Sequence, residues 1–381
     1  MLPLDRGSAI VRTMTGAGER EAPGEPEVIA DHGGRVAAAT AAYGCPAEGW
    51  LDLSTGINPR PYPVPEVAPE VWARLPDEDL FQAARHAARG YYGIGAAAGI
   101  VEAAGSQALI QALPRVLPRC RVGVLGFTYA EHERCWRAAG HDVVAVDDID
   151  SLAGSSVVVL ANPNNPDGQI HQPRSLAALA DKLAAAGGLL VVDEAFADVA
   201  PELSLAPLAG GPGLCLLRSF GKFFGLAGLR LGHALAEPAL ALRLEAHLGP
   251  WRASGPALAV AARALADQAW IAATRRELAA AAARLDRLLN SAGLSILGGT
   301  HLFRLTESED AARLHDALAR RGILTRRFAA RPRWLRFGLP SDEAGWQRLA
   351  RGLAEARAGE RVRTPGRSGA RPRSGPPGGW R

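Results

Sequence analysis

The sequence predicts an α/β fold, with a large domain built on a mostly parallel sheet between helices and a smaller α+β domain. Two patterns predict it: short, almost wholly apolar runs alternate with helical stretches from about residue 99 to 236, and helical spacing dominates beyond about residue 250. Nearly continuous apolar strands that alternate with helices are typical of a parallel sheet covered on both faces. The chain has 381 residues, 48% apolar and 22% charged, and is therefore long enough for both domains.

Five apolar runs are the clearest strands of the large domain: Arg121–Leu125, Val157–Ala161, Leu189–Val192, Leu214–Leu217 and Leu229–Leu235. Two intervening segments, 130–139 and 174–186, place apolar residues at helical spacing. The smaller domain is predicted to contain a long helix over 256–289 and further elements at 294–306, 310–321 and 334–339. Ligands of such sheets gather at the carboxyl ends of the strands, so the residues just after the runs are the first candidates for a site.

The chain is predicted to consist of five segments. They are a flexible extension (1–27), a segment that joins the small domain and a lid (28–70), the large domain (71–249), the small domain (250–357) and a disordered basic tail (358–381). The formal net charge of +4 belongs to the tail, because six arginines and one glutamate give residues 359–381 a charge of +5. Such a tail is expected to be solvated, so the basic balance predicts no nucleic-acid partner.

The sequence also predicts the compartment. No uncharged apolar run is long enough for a membrane helix, and the first thirty residues carry too many charges for a signal-peptide core. We therefore expect a cytoplasmic protein with no membrane partner. The four cysteines and nine histidines show no spacing typical of metal ligands, so no metal site is predicted.

Lysine is rare in this chain. It occurs only as Lys182 and Lys222, so chemistry that needs a side-chain primary amine has two candidates. Lys222 comes just after the run Leu214–Leu217, at the predicted carboxyl end of a strand.

Other predicted strand ends carry polar or flexible groups. Residues 105–107 begin a helix that Ser106 could cap, and its free backbone N–H groups could hold a phosphate. The segment 162–168 consists of turn-forming residues. Asp193 ends an apolar run, where a carboxylate needs a cation or hydrogen-bond donors, and Arg230 lies eight residues beyond the lysine.

Together these groups match what pyridoxal phosphate requires: an amine, a carboxylate for the ring nitrogen, an amide for O3' and a phosphate cradle with an arginine. The ordered set Gly-Ser-Gln, Asn-Pro-Asn-Asn-Pro-x-Gly, Asp-Glu-Ala-Phe and Ser-x-x-Lys followed by Arg is a specific pattern. It resembles the fold-type I pyridoxal-phosphate enzymes, in the histidinol-phosphate aminotransferase branch, over about residues 28–357.

The resemblance implies a role for each matching residue. Lys222 would bind the cofactor aldehyde covalently, Asp193 would pair with the ring nitrogen, and Asn165 would donate to O3'. The residues implied to hold the cofactor phosphate are Ser106, Gln107, Ser219 and Arg230. Arg336, in Leu-Arg-Phe-Gly, would receive the substrate carboxylate.

Three departures from the aminotransferase pattern stand out. His132 occupies the position of the aromatic ring that stacks on the cofactor; an imidazole can stack there, and the alternative is a histidine that merely begins a helix. Phe196 stands where a tyrosine often donates to O3', so that hydrogen bond should be absent. Leu75 replaces a tyrosine that reaches the partner subunit's cofactor, which weakens the prediction of a cross-subunit contact. The resemblance still implies a homodimer.

Four segments resemble a narrower family, the cobalamin-pathway threonine-phosphate decarboxylases: 32–35, 52–59, 322–327 and 335–340. That family removes CO2 from L-threonine O-3-phosphate and forms (R)-1-amino-2-propanol O-2-phosphate. The resemblance makes Arg326 the candidate for the substrate phosphate, or Arg327 if the register slips by one. His32 and Asn58 are candidate lid or substrate contacts, although His-Gly-Gly and Asn-Pro are also ordinary turn sequences.

Two alternatives remain open. A histidinol-phosphate-type aminotransferase would use the same cofactor residues, so only the terminal segments, His132 and Phe196 argue against it. A non-catalytic, regulatory protein on the same scaffold is the other alternative. The absence of an evident DNA-binding module and the chemically competent cofactor positions argue against that one.

Overall fold

The computed structural model of the chain describes residues 32–152 and 154–361. The predicted extension, 1–27, lies outside the described residues, and so does the predicted tail from residue 362 onward. Helix α12 (Glu343–Arg361) continues past the expected start of the tail at residue 358. Of the helices described, none combines the length and apolarity that crossing a membrane requires.

A seven-stranded sheet forms the centre of the fold. In sheet order its strands are β2 (Gly99–Ala103), β8 (Gly232–Ala236), β7 (Leu214–Ser219), β6 (Leu189–Asp193), β5 (Val157–Ala161), β3 (Arg121–Leu125) and β4 (Asp142–Val146). β8 is antiparallel to both of its neighbours, and the other paired strands run parallel. The predicted fold class, a mostly parallel sheet in an α/β domain, is confirmed.

Both faces of this sheet are covered, which explains why its strands are apolar throughout. Val157 and Val159 of β5 belong to one buried cluster, whereas Val158 and Leu160 belong to another. Successive side chains of a strand point to opposite faces, so a strand buried on both sides needs an apolar residue at every position.

Helices flank the sheet and form much of the rest of the chain. In the described part they are α1 (Val36–Tyr43), α2 (Pro69–Ala73), α3 (Glu78–Tyr92), α4 (Ser106–Ala112), α5 (Glu131–Ala138), α6 (Pro173–Ala185), α7 (Phe220–Phe223), α8 (Pro238–Leu248), α9 (Gly255–Ala264), α10 (Gln268–Ser291), α11 (Ala311–Ala319) and α12. In α6 the buried residues are Leu176, Ala180 and Leu183, at the spacing of one helical face.

A smaller antiparallel sheet follows in the chain. Its order is β12 (Arg326–Arg327), β13 (Trp334–Gly338), β10 (Phe303–Glu307) and β9 (Ser295–Thr300). A separate parallel pair joins β1 (Leu51–Asp52) to β11 (Ile323–Leu324). The amino-terminal segment thus lies against the carboxyl-terminal part, while the division into five segments stays a prediction.

Two predicted elements differ from the structure. The single helix expected over 256–289 is broken into α9 and α10, because the side chain of Asp267 accepts a hydrogen bond from Trp270 N at 3.0 Å and caps a new helix. The strand expected from Leu229 begins three residues later, at Gly232. Arg230 has a left-handed φ of 55°, which interrupts the extended conformation.

Candidate active site

A cavity of about 490 Å³ lies at the carboxyl ends of the parallel strands and borders the smaller sheet. Its volume is typical of a small-molecule site, roughly 300–1,000 Å³. Ten of the residues selected from the sequence line it: His32, Ser106, Gln107, Asn165, Asp193, Ser219, Lys222, Arg230, Arg326 and Arg336. The chain connections of the parallel sheet therefore bring together groups that are far apart in sequence.

Lys222 lies on the short helix α7, directly after β7. Its backbone oxygen accepts a hydrogen bond from Asn58 N at 2.9 Å, and its Nζ lies 5.7 Å from the centre of the Phe196 ring. Burial, together with the positive charges of Arg336 and Arg230, lowers the pKa of the Lys222 amine to about 8 against the opposing effect of Asp193. Because only the neutral amine attacks an aldehyde, this environment activates Lys222.

Asp193 ends β6 with a buried carboxylate. Its Oδ1 accepts a hydrogen bond from Ala195 N at 3.0 Å, and its Oδ2 accepts one from His132 Nε2 at 2.9 Å. A buried carboxylate needs such donors or a cation. The two contacts fix its orientation on the cavity wall.

The structure corrects the predicted position of His132. Its side chain is only 1% exposed and lies behind Asp193, outside the residues that line the cavity. Tyr129, three residues earlier, lines the cavity instead. Since α5 begins at Glu131, Tyr129 precedes the helix, whereas His132 lies in its first turn and points towards Asp193. The ring available for stacking is therefore that of Tyr129.

A hydrogen-bonded chain runs along the cavity from Tyr129. The Tyr129 hydroxyl donates to Gln107 Oε1 at 3.0 Å, and Gln107 Nε2 donates to Glu131 Oε2 at 3.0 Å. His32 Nε2 lies 3.6 Å from Glu131 Oε1. Burial, followed by the charges of Glu131 and Asp193, raises the pKa of Tyr129 to about 12, so its hydroxyl stays a donor. Sequence reasoning missed Glu131, which lies inside the motif that contains His132.

A glycine turn shapes one end of the cavity. Gly105, with a φ of 84°, is the cap residue of α4, and the expected capping bond from the Ser106 side chain is absent. A Cβ on Gly105 would lie 2.5 Å from Arg230 Nη2, and one on Gly232 would lie 2.3 Å from Ser106 N. The missing side chains leave room for these donors. Together with Ser219 at the end of β7, the Arg230 guanidinium and the Ser106 backbone N–H form a group of donors suited to a phosphate.

Arg336 and Arg326 line the cavity from the smaller sheet, as cross-strand partners. Arg336 donates through Nη1 to Asn165 Oδ1 and through Nη2 to Ser54 O, the latter at 2.9 Å. Burial, followed by the charge of Arg326, lowers the pKa of Arg336 to about 9, with Asp52 acting in the opposite direction. Two neighbouring cations in one cavity favour a ligand that carries negative charge.

Two other predicted residues do not line the cavity. Arg327 Nη1 lies 4.0 Å from Asp316 Oδ1, away from the site, because successive residues of a strand alternate in direction. Asn58 is buried, and its Nδ2 donates to Phe223 O at 2.9 Å. It therefore supports the segment that carries Lys222 and does not reach the cavity as a lid or substrate contact.

Comparisons with known proteins identify the class. Residues 51–353 match the family model described as aminotransferase class I and II. The chain therefore belongs to this family.

The similarity is also high to two curated relatives. The chain is 47% identical over 325 residues to the threonine-phosphate decarboxylase of Pseudomonas aeruginosa, covering 84% of this chain and 96% of the relative. It is 48% identical over 328 residues to the protein of the same name from a Sinorhizobium species, covering 85% and 97%.

A solved structure shares the fold. It is the histidinol-phosphate aminotransferase of Sinorhizobium meliloti in complex with pyridoxal-5'-phosphate, with a TM-score of 0.72 and 23% identity. The match covers 85% of this chain and 95% of that one.

Proposed function

We propose that this protein is an enzyme that decarboxylates L-threonine O-3-phosphate to (R)-1-amino-2-propanol O-2-phosphate, a step of cobalamin biosynthesis. The observation that carries the proposal is the pair Arg326 and Arg336, which lies in one cavity with Lys222 and Asp193. A substrate with an amine and two anionic groups fits that arrangement. The similarity to proteins named threonine-phosphate decarboxylase over most of their length supports it.

The cofactor is pyridoxal 5'-phosphate, and the residues present fit it. Its phosphate would be held by Ser106, Gln107, Ser219 and Arg230, where the absence of side chains on Gly105 and Gly232 leaves room for donors. Asp193 would pair with the ring nitrogen. The Asn165 amide nitrogen would donate to O3', since its oxygen already accepts from Arg336.

Two further assignments follow from the geometry. The Tyr129 ring would lie against the cofactor ring, and His132 would act behind Asp193 as a positioning residue. Phe196 lines the cavity without a hydroxyl, so it offers no second donor to O3'.

The bound cofactor supplies an aldehyde that combines with amines and a ring that accepts an electron pair from the substrate α-carbon. Lys222 would hold the cofactor covalently, and its amine, which lies in the cavity, would be free to act as a base or an acid once the substrate amine is bound. We assign it the delivery of a proton to the α-carbon after CO2 has left.

We assign the choice of the bond that breaks to the two arginines. Arg336 would bind the substrate carboxylate and Arg326 the phosphate, so the substrate is held at two points and cannot rotate freely about its α-carbon. Decarboxylation requires the bond from the α-carbon to the carboxylate to be perpendicular to the plane of the cofactor ring. Amino transfer requires the bond from the α-carbon to hydrogen to be perpendicular to that plane. His32, near Glu131 at the cavity, is a candidate substrate or lid contact.

A CO2 assay tests the proposal. Purified holoenzyme is incubated with L-threonine O-3-phosphate and no 2-oxo acid, and released CO2 and amine product are quantified. One CO2 per amine product supports decarboxylation. Glutamate that forms from added 2-oxoglutarate, without CO2 release, would establish the alternative that the family name favours, an aminotransferase. A Lys222→Ala variant, folded but inactive and lacking the visible absorbance of lysine-bound cofactor, is the control.

We further propose a cytoplasmic homodimer with the segments expected from the sequence, except that helix α12 extends the small domain to Arg361. The apolar residues Trp72 and Leu75, which are 68% and 64% exposed, support a second copy as partner.

A further inference from the structure

Two aromatic side chains that follow strands of different sheets meet beside Arg326. Phe127 follows β3 of the large sheet, and Phe328 begins the turn 328–333 that connects β12 to β13. Both line the cavity. Their ring centres are 6.0 Å apart and their planes cross at 79°, an edge-to-face contact. We call this pair the aromatic wall.

The aromatic wall is held firmly from outside the cavity. The Phe127 ring meets Trp334 edge-on at 5.5 Å, and the Arg331 guanidinium lies over both rings, 5.1 Å from Phe127 and 5.6 Å from Trp334. Asn164 Nδ2 donates to the backbone oxygen of Phe127 at 3.1 Å. Moving Phe127 aside would cost these ring and cation–π contacts, so it forms a rigid boundary.

Phe328 also contacts the anchor assigned to the substrate phosphate. The Arg326 guanidinium carbon lies 5.2 Å from the centre of the Phe328 ring. Arg326 in turn is the cross-strand partner of Arg336. The same ring therefore limits the space beside the anchor and fixes the anchor in place.

We infer that the aromatic wall selects substrates by size. It admits an amino acid whose phosphate ester is formed directly on the carbon next to the amine-bearing carbon. It excludes an amino acid in which an aromatic ring lies between that carbon and the phosphate. The inference rests on the proposed function, which supplies the ligands of Arg326 and Arg336. Tight apolar pockets discriminate a single methylene group by roughly 10- to 200-fold. Removal of the whole Phe328 ring should therefore change the relative affinity for the two kinds of ligand by a measurable factor.

Two ligands with the same amine and carboxylate test this: O-phospho-L-threonine and O-phospho-L-tyrosine. Their apparent dissociation constants for the holoenzyme are measured by stopped flow, from the first change in visible absorbance of the bound cofactor and before product accumulates. The variants are Phe328→Ala, Phe328→Leu and the matched control Arg333→Ala. Arg333 belongs to the same turn, but it pairs with Glu307 and Glu309 and is outside the cavity lining.

In wild type and in Arg333→Ala, phosphotyrosine should bind far more weakly than phosphothreonine. In Phe328→Ala the ratio of the two dissociation constants should fall at least tenfold, with Phe328→Leu intermediate. An unchanged ratio in Phe328→Ala, with wild-type circular dichroism and bound cofactor, overturns the inference. If that variant does not fold, Phe127→Leu gives the same comparison.

The measurement separates this inference from the proposed reaction. The ratio comes from binding and needs no CO2 release, so a changed ratio without CO2 would overturn only the proposed activity. Normal CO2 release from phosphothreonine with an unchanged ratio would overturn only the inference that the aromatic wall selects substrates by size.

Discussion

Single residues set the charge balance around the reactive amine. Lys222 is neutral at a lower pH than an ordinary lysine because it is buried and faces Arg336 and Arg230, while Asp193 partly opposes them. Asp193 keeps its orientation through His132 and a backbone N–H. Each of these contacts gives a separate prediction.

Binding of pyridoxal phosphate to the apoenzyme should depend on the pKa of Lys222. Protonated Lys222 cannot attack the aldehyde, so the rate should fall about tenfold per pH unit below pH 8 and level off above it. Removal of a charge that lowers this pKa, by Arg336→Gln, should move the midpoint to higher pH. Lys182→Ala is the control and should leave the profile unchanged. A midpoint near the ordinary lysine value of 10.5 in wild type would contradict the assignment.

Loss of the hydrogen bond from His132 should weaken catalysis more than substrate binding. His132→Phe keeps a ring of similar size but removes the donor to Asp193, and a hydrogen bond to a charged group contributes about 1.5–3 kcal/mol. We expect kcat to fall about 10- to 100-fold with little change in KM, and His132→Gln to recover part of the loss. Wild-type kcat in a folded His132→Phe variant would show that the contact has no positioning role.

At the scale of elements, the turn between β2 and α4 illustrates how backbone conformation creates a site. Gly105 has a φ of 84° and leaves space that a side chain would take from Arg230. Gly93, after α3, also has a positive φ, of 67°, but nothing lies within 4 Å of the place where its Cβ would be. Gly93 therefore serves as a control that has a positive φ but no contact for its Cβ.

Gly93→Ala should lower the free energy of unfolding by about 1–2 kcal/mol, because it forces alanine into a left-handed helical conformation. Gly105→Ala should lower it by more, because its φ of 84° and ψ of 160° lie in a region that is almost restricted to glycine. Only Gly105→Ala should also weaken pyridoxal-phosphate binding, by at least tenfold, since its Cβ would displace Arg230. Thermal unfolding and cofactor titration measure the two effects. Equal cofactor affinity in both variants would argue against a phosphate-binding role for Arg230.

The strands and several of the cavity-lining residues could be predicted because each depends on local sequence. Val157–Ala161 is apolar at every position, and Asp193 and Lys222 follow such runs directly. The position of His132 could not be predicted, since it depends on α5 beginning at Glu131, which sets the direction of each side chain. The break before α10 had a local signal, the capping residue Asp267, but no proline or glycine marks it.

At the scale of the whole molecule, contacts between distant segments complete the cavity. Phe127 and Phe328 meet across the two sheets although two hundred residues separate them, and no local pattern indicates their contact. Asn58 likewise supports the backbone at Lys222 from far earlier in the chain. The family resemblance makes Asn58 a candidate lid or substrate contact, but the sequence does not show that its side chain turns to Phe223 O.

The proposed homodimer gives a prediction at this scale. Helix α2 has no buried residue, and Trp72 and Leu75 are mostly exposed. The double change Trp72→Ser with Leu75→Ser should shift wild-type dimer to monomer in sedimentation velocity, whereas Leu208→Ser, at a residue that is 50% exposed elsewhere, should not. A wild-type monomer, or a double variant that remains fully dimeric, would contradict this placement of the interface.

The most direct test of the account is to locate the covalently bound cofactor. Holoenzyme is reduced with borohydride, digested and mapped by mass spectrometry. Because lysine occurs only as Lys182 and Lys222, the chain contains its own control. The account predicts the phosphopyridoxyl group on the peptide that carries Lys222 and none on Lys182. A label on Lys182 alone, or loss of the visible cofactor absorbance on reduction with no label on any peptide, would contradict it.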